Sequence, residues 1–160
     1  MASLRSKFYS RMLRRTFRGR GFGEGLEALK RVRSGEDRSF ILSLLSHSAP
    51  PQATAEINGN YAEWLGNPQA EYTLLYLHGG GYIMGGPDTH RGMVRSLAGY
   101  ANVRALLLDY RLAPENPFPA AIEDAEAAYD WLIAQGVAPE KMFVAGDSAG
   151  GGLSLALMLK

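Results

Sequence analysis

The stretch Met142-Phe-Val-Ala-Gly-Asp-Ser-Ala-Gly-Gly-Gly152 decides how this chain is read. Phe143-Val144-Ala145 is a short β-branched and aromatic run that suits a buried strand, and Gly146-Asp147-Ser148-Ala149-Gly150 follows it without a break. This is the G-x-S-x-G spacing of a nucleophile elbow, which makes Ser148 the candidate nucleophile. A turn tight enough to lift a hydroxyl off a strand end brings its two flanks together, so glycine at 146 and 150 removes side chains that would collide. Beyond the turn, Leu153, Leu155, Leu157, Met158 and Leu159 are apolar all round, as in a helix buried within a domain. Such a helix aims its N-terminal amides back at Ser148.

A pentapeptide is weak by itself in a chain of 160 residues with 19 glycines, so its surroundings must carry the argument. Working upstream, two more apolar runs read as strands, Tyr72 to Leu77 and Val103 to Leu108. Amphipathic helices separate them. One has a face of Met93, Val94, Leu97, Ala98 and Ala101; the other opens at Pro119, shows Ile122, Ala125, Tyr129, Leu132 and Ile133, and ends at Gly136. Uninterrupted apolar strands alternating with helices predict a mostly parallel sheet covered on both faces. Before them, Ala53 to Ile57 and Tyr61 to Leu65 flank Asn58-Gly59-Asn60, a hairpin signal.

Two loops at the carboxyl ends of these strands bear on chemistry. His78-Gly79-Gly80-Gly81 exposes backbone N–H groups unobstructed by side chains, as stabilisation of a developing oxyanion requires. Asp109 to Ala120, DYRLAPENPFPA, is stiffened by three prolines, and an ion pair of Arg111 with Glu115 or Asp109 is expected within it. Its role is read as structural, bracing the elbow.

The N-terminal part differs in charge. Residues 1–38 hold eleven Lys and Arg against four Asp and Glu, whereas residues 39–160 hold six against twelve. Leu4, Phe8, Met12, Leu13 and Phe17 recur near helical spacing, opposite seven basic side chains within residues 1–20. Three readings stay open for them: a lid helix on the body, a membrane-surface helix making peripheral contact, and a targeting peptide. The acidic body argues against nucleic acid as a partner. Alternating glycines at 19–25 read as a joint, Leu26 to Val32 and Phe40 to Leu45 as modest helices, and His47 as an ordinary exposed or capping histidine. The chain has no cysteine and hence no disulfide framework, which is compatible with a cytoplasmic location, and no apolar run approaches a membrane span.

HGGG at 78–81, DYRLAPENPFPA at 109–120 and GDSAGG at 146–151, in this order, resemble the hormone-sensitive-lipase-like esterases, the bacterial family IV branch of the α/β-hydrolases. The resemblance implies an α/β-hydrolase fold, with cap helices and a basic arm in residues 1–52 and the N-terminal half of a catalytic domain in residues 53–160. By that resemblance Ser148 is the acylated nucleophile, the amides of Gly80, Gly81 and Ala149 form the oxyanion hole with Gly79 as an alternative, and His78 helps hold the glycine loop. Asp147 precedes the nucleophile as it does in the family, and His90 is read as a surface or capping residue.

The departure is one of length. The family order places the acid and then the histidine after the serine, and only twelve residues follow Ser148. His47, His78 and His90 all precede it, and none has the base's place in the family. The chain is therefore expected to be truncated after the elbow helix, inactive alone, and exposed along one sheet edge. The activity implied is hydrolysis of a small carboxylic ester through an acyl-enzyme, with no metal and no organic cofactor. A non-catalytic small-molecule-binding protein on the same fold is the alternative.

Overall fold

The computed structural model describes residues 49–160. The readings of the basic helix at 1–20, the glycine joint, the helices at 26–32 and 40–45, and His47 lie outside the described residues.

Strands β1 (Ala53–Ile57) and β2 (Asn60–Gly66) form the expected hairpin, with Ile57 opposite Asn60. Asn58 at φ 51° and Gly59 at φ 81° are consecutive left-handed residues, which a two-residue type I′ turn demands. Strand β2 pairs antiparallel with β4 (Arg104–Leu108), and β4 and β5 (Met142–Gly146) flank β3 (Thr73–Leu77) in parallel. The sheet order is β1-β2-β4-β3-β5. The three continuous apolar runs are thus the parallel centre, and the hairpin supplies the antiparallel side.

Helix α1 (Pro87–Ala101) packs on one face of the sheet, and α2 (Ala120–Ala134) and α3 (Ala149–Met158) pack on the other. Because strand side chains alternate, Leu74 and Tyr76 of β3 join Val94 and Ala98 of α1, while Leu75 and Leu77 join the core beneath α2 and α3. Each such leucine contributes roughly 1.5–3 kcal/mol through burial. Among the described residues no helix is long and apolar enough to cross a membrane.

The helix faces differ in detail from the sequence reading. On α1 the buried seam is Pro87, Val94 and Ala98, with Arg91 in line at helical spacing; Met93 and Leu97 are 47% and 42% exposed. The seam accepts an arginine because Glu63 on β2 lies fully buried beneath it, and Arg91 grips both carboxylate oxygens, at 2.7 and 2.5 Å. The α2 face likewise includes a buried acid, Asp124. Helix α3 buries Leu153 and Leu157, one turn apart, and leaves Leu155 and Met158 exposed. Helix α2 closes as expected at Gly136, whose φ of 87° lets Val137 N–H reach Leu132 O and Gly136 N–H reach Ile133 O in a Schellman motif.

Candidate active site

The elbow begins at the register pair Leu77 and Gly146, where β3 and β5 leave the sheet together. A Cβ on Gly146 or Gly150 would run into the Leu77 carbonyl oxygen, so backbone packs directly on backbone. Ser148 takes φ 49° and ψ −116°, a conformation that costs a non-glycine residue on the order of 1–3 kcal/mol. It is the N-cap of α3, yet its side chain makes no capping hydrogen bond, and the residue is exposed. Its hydroxyl therefore stands off the protein at the positive end of a helix.

The glycine loop beside it has three carbonyls and one amide fixed. The His78 carbonyl accepts the Tyr110 hydroxyl at 2.6 Å, and the Gly79 N–H of the same peptide donates to Asp147 Oδ1 at 2.9 Å. The Gly79 carbonyl accepts His78 Nδ1–H at 2.8 Å, and the Gly80 carbonyl accepts the N–H groups of Ile83 and Met84. The N–H groups of Gly80 and Gly81 donate to none of the described residues. In a trans peptide the N–H points opposite to the C=O, so anchoring the Gly79 and Gly80 carbonyls aims these two amides the other way. Gly80 at φ 130° and Gly81 at φ 65° hold backbone that glycine adopts without strain.

His78 is wholly buried, stacked on Tyr110 with ring centroids 4.2 Å apart. Burial pushes its pKa down to about 4, so the ring is neutral at neutral pH. The proton sits on Nδ1, facing Gly79, and Nε2 is buried with no hydrogen-bond partner among the described residues.

Asp147 joins the elbow to this loop. Its Oδ1 accepts Tyr76 Oη–H at 3.1 Å and Gly79 N–H at 2.9 Å, and lies 3.4 Å from His90 Nε2. A Cβ on Gly79 would strike the same carboxylate. His90 is therefore more than a surface or capping residue: its side chain is 16% exposed and its Nδ1 lies 2.7 Å from Thr89 Oγ1. Burial, reinforced by the Asp147 charge, pushes the Tyr76 phenol well above its usual pKa.

The proline-stiffened loop is structural, but it braces a different element from the one expected. Besides the Tyr110 bond, Ala113 N–H donates to Tyr82 O at 2.9 Å, so both ties go to the glycine loop. Arg111 reaches onto α2, binding buried Asp124 through its backbone N–H and its guanidinium, and Glu123 at 3.2 Å. Asp109 has its pKa pushed up to about 6 by burial, with Asp88 and Glu63 adding to it. Among the described residues no group of His, Cys, Asp or Glu is arranged to hold a metal ion.

A family described as alpha/beta hydrolase fold matches residues 74–160. The chain belongs to the α/β-hydrolase fold family. It is 46% identical over 110 residues to an acetyl-hydrolase of Streptomyces hygroscopicus, covering 68% of this chain and 37% of that protein. Its fold superposes on EstE5, in a crystal soaked with p-nitrophenyl butyrate, with a TM-score of 0.83 and 41% identity, over 99% of this chain and 52% of that one. A hormone-sensitive lipase from a metagenome library gives 0.79 at 33% identity, over 96% and 50%. The resemblance drawn from the three motifs is borne out, and the chain spans about half the length of the solved chains it matches.

In this α/β-hydrolase chain two residues around the loop, Tyr76 and Tyr110, escaped the sequence reading, and His90 was assigned there to the surface or a cap. Tyr76 was visible as the one polar tip in the β3 run TLLYL after its opening threonine. Tyr110 lay in plain sight beside Arg111, but nothing local says that its hydroxyl turns back 32 residues to His78.

Proposed function

We propose that the protein is a carboxylic-ester hydrolase in which Ser148 is the nucleophile and the Gly80, Gly81 and Ala149 amides form the oxyanion hole. One observation carries this reading: the loop beside Ser148 ties down the carbonyls of His78, Gly79 and Gly80 and the Gly79 amide, and leaves the amides of Gly80 and Gly81 without an acceptor among the described residues. Since Gly79 N–H is already held by Asp147, Gly80 and Gly81 are preferred to it as donors. The serine hydroxyl attacks the ester carbonyl, the negative oxygen settles on these amides, the alcohol leaves, and water releases the acid. Each donor lowers the barrier by roughly 3–4 kcal/mol. Neither described histidine is assigned as base, because His78 faces Gly79 and His90 faces Asp147. The base and its acid partner are assigned to sequence beyond these 160 residues, following the family order.

The acetyl-hydrolase likeness and the butyrate ester used with EstE5 favour a short acyl chain. The test is burst kinetics with p-nitrophenyl butyrate on the complete gene product, on this chain alone, and on Ser148→Ala. A burst in the complete protein that vanishes with Ser148→Ala is expected, with none from this chain alone. A folded complete protein that releases no nitrophenol would favour a binding role on the same fold.

A further inference from the structure

Asp147 is directly bonded in sequence to the proposed nucleophile, and its carboxylate takes the N–H of Gly79 in the glycine loop. Any rotation of that side chain changes how the loop sits against Ser148. The carboxylate is 42% exposed, so water competes for it and cannot by itself hold it in one rotamer. Two side chains from other elements hold it instead. Tyr76, 4% exposed and fixed in the central strand, donates to Oδ1 at 3.1 Å; His90, from the first turn of α1, brings Nε2 to 3.4 Å. The Thr89 hydroxyl donates to Gly86 O at 2.9 Å, so His90 Nδ1, 2.7 Å from Thr89 Oγ1 and 3.3 Å from the same carbonyl, is itself a donor there, and Nε2 meets Asp147 as the ion-pair partner of the charged ring.

We infer that Tyr76 and His90 are positioning residues that orient Asp147 and, through it, the glycine-loop amides. This rests on the esterase reading for its kinetic consequence but not for its geometry. Neither residue touches the reacting atoms. Their loss acts on the transition state, where the amides matter, rather than on ground-state binding.

The experiment compares Tyr76→Phe and His90→Ala, each alone and combined with Asp147→Ala, in the complete gene product. Expected are a fall in kcat of about tenfold with KM nearly unchanged, and Gly79 amide hydrogen exchange faster by about tenfold, while the global melting transition stays in place. Neither substitution should add to Asp147→Ala, because all three act through one carboxylate. His90→Gln, which restores an N–H donor, should recover part of the loss. Losses that add to Asp147→Ala, or Gly79 exchange at the wild-type rate in both single variants, would overturn the inference. The exchange measurement needs no substrate, so it decides the positioning role even if p-nitrophenyl butyrate shows the protein not to be an esterase.

Discussion

Tyr110 lies flat on the His78 imidazole, its ring plane tilted 10° from that of the histidine, and hands its hydroxyl to the carbonyl of the same residue at 2.6 Å. One buried side chain thus fixes both the ring and the backbone of the residue that opens the glycine loop.

Tyr110→Phe keeps the stacked ring and removes only the hydroxyl. A buried carbonyl left without its donor costs about 1–3 kcal/mol, so the melting temperature should fall by several degrees in a thermal scan. Turnover should fall further than this modest loss of stability would require, because the His78 peptide also carries the Gly79 amide.

Ser148→Gly should stabilise the protein while abolishing serine-dependent hydrolysis. Glycine adopts φ 49° freely, so the strain at this position is relieved, worth on the order of 1 kcal/mol after the added unfolded-state freedom of glycine is subtracted. Ser148→Ala keeps the strain and should melt near the wild type. Equal melting temperatures for the two variants would mean that the elbow stores no strain.

Asp109→Asn tests a pH dependence of definite sign. The folded protein holds this carboxyl at about 6 against 3.8 when unfolded, so its ionisation opposes folding. The cost is absent below the unfolded value, grows from about pH 4 to 6, and is complete above that. The variant's gain in melting temperature should therefore be small near pH 4 and reach a plateau above about pH 6. His78 runs the other way: its pKa of about 4 lies below the unfolded 6.5, so its contribution to stability is lost as pH falls. The two slopes overlap in the wild type, and comparing the variant with it at each pH isolates the Asp109 part.

Arg111→Ala should destabilise. It strands Asp124, a fully buried carboxylate, whose loss of partner costs up to about 3–5 kcal/mol in a sealed site and less here because Arg111 is 37% exposed. Chemical denaturation reads this directly. Unchanged stability with lost activity would instead put Arg111 in the site.

The elements legible in the sequence are those set by local chemistry. Asn58-Gly59 announced its hairpin, the apolar runs their parallel strands, Gly136 its helix end, and the two glycines of the elbow their close backbone approach. What could not be read were pairings between distant polar groups. Glu63 finds Arg91 across 28 residues and Tyr76 finds Asp147 across 71, with no spacing rule to link them. Arg111 was assigned partners in its own loop, yet the acids that hold it stand one turn into the following helix.

The pairing of Leu77 with Gly146 joins strands far apart in sequence, so assembly of the site is expected to come late in folding. The bond from Gly79 to Asp147 spans 68 residues, and so long a loop closes only after the intervening strand and two helices have found their places. The hairpin and α2 can form early, but serine and glycine loop become neighbours only when the last parallel ladder zips. On the proposed role of Ser148, its labelling by a phosphonate probe in the complete gene product should lag behind formation of the hairpin and α2 during refolding.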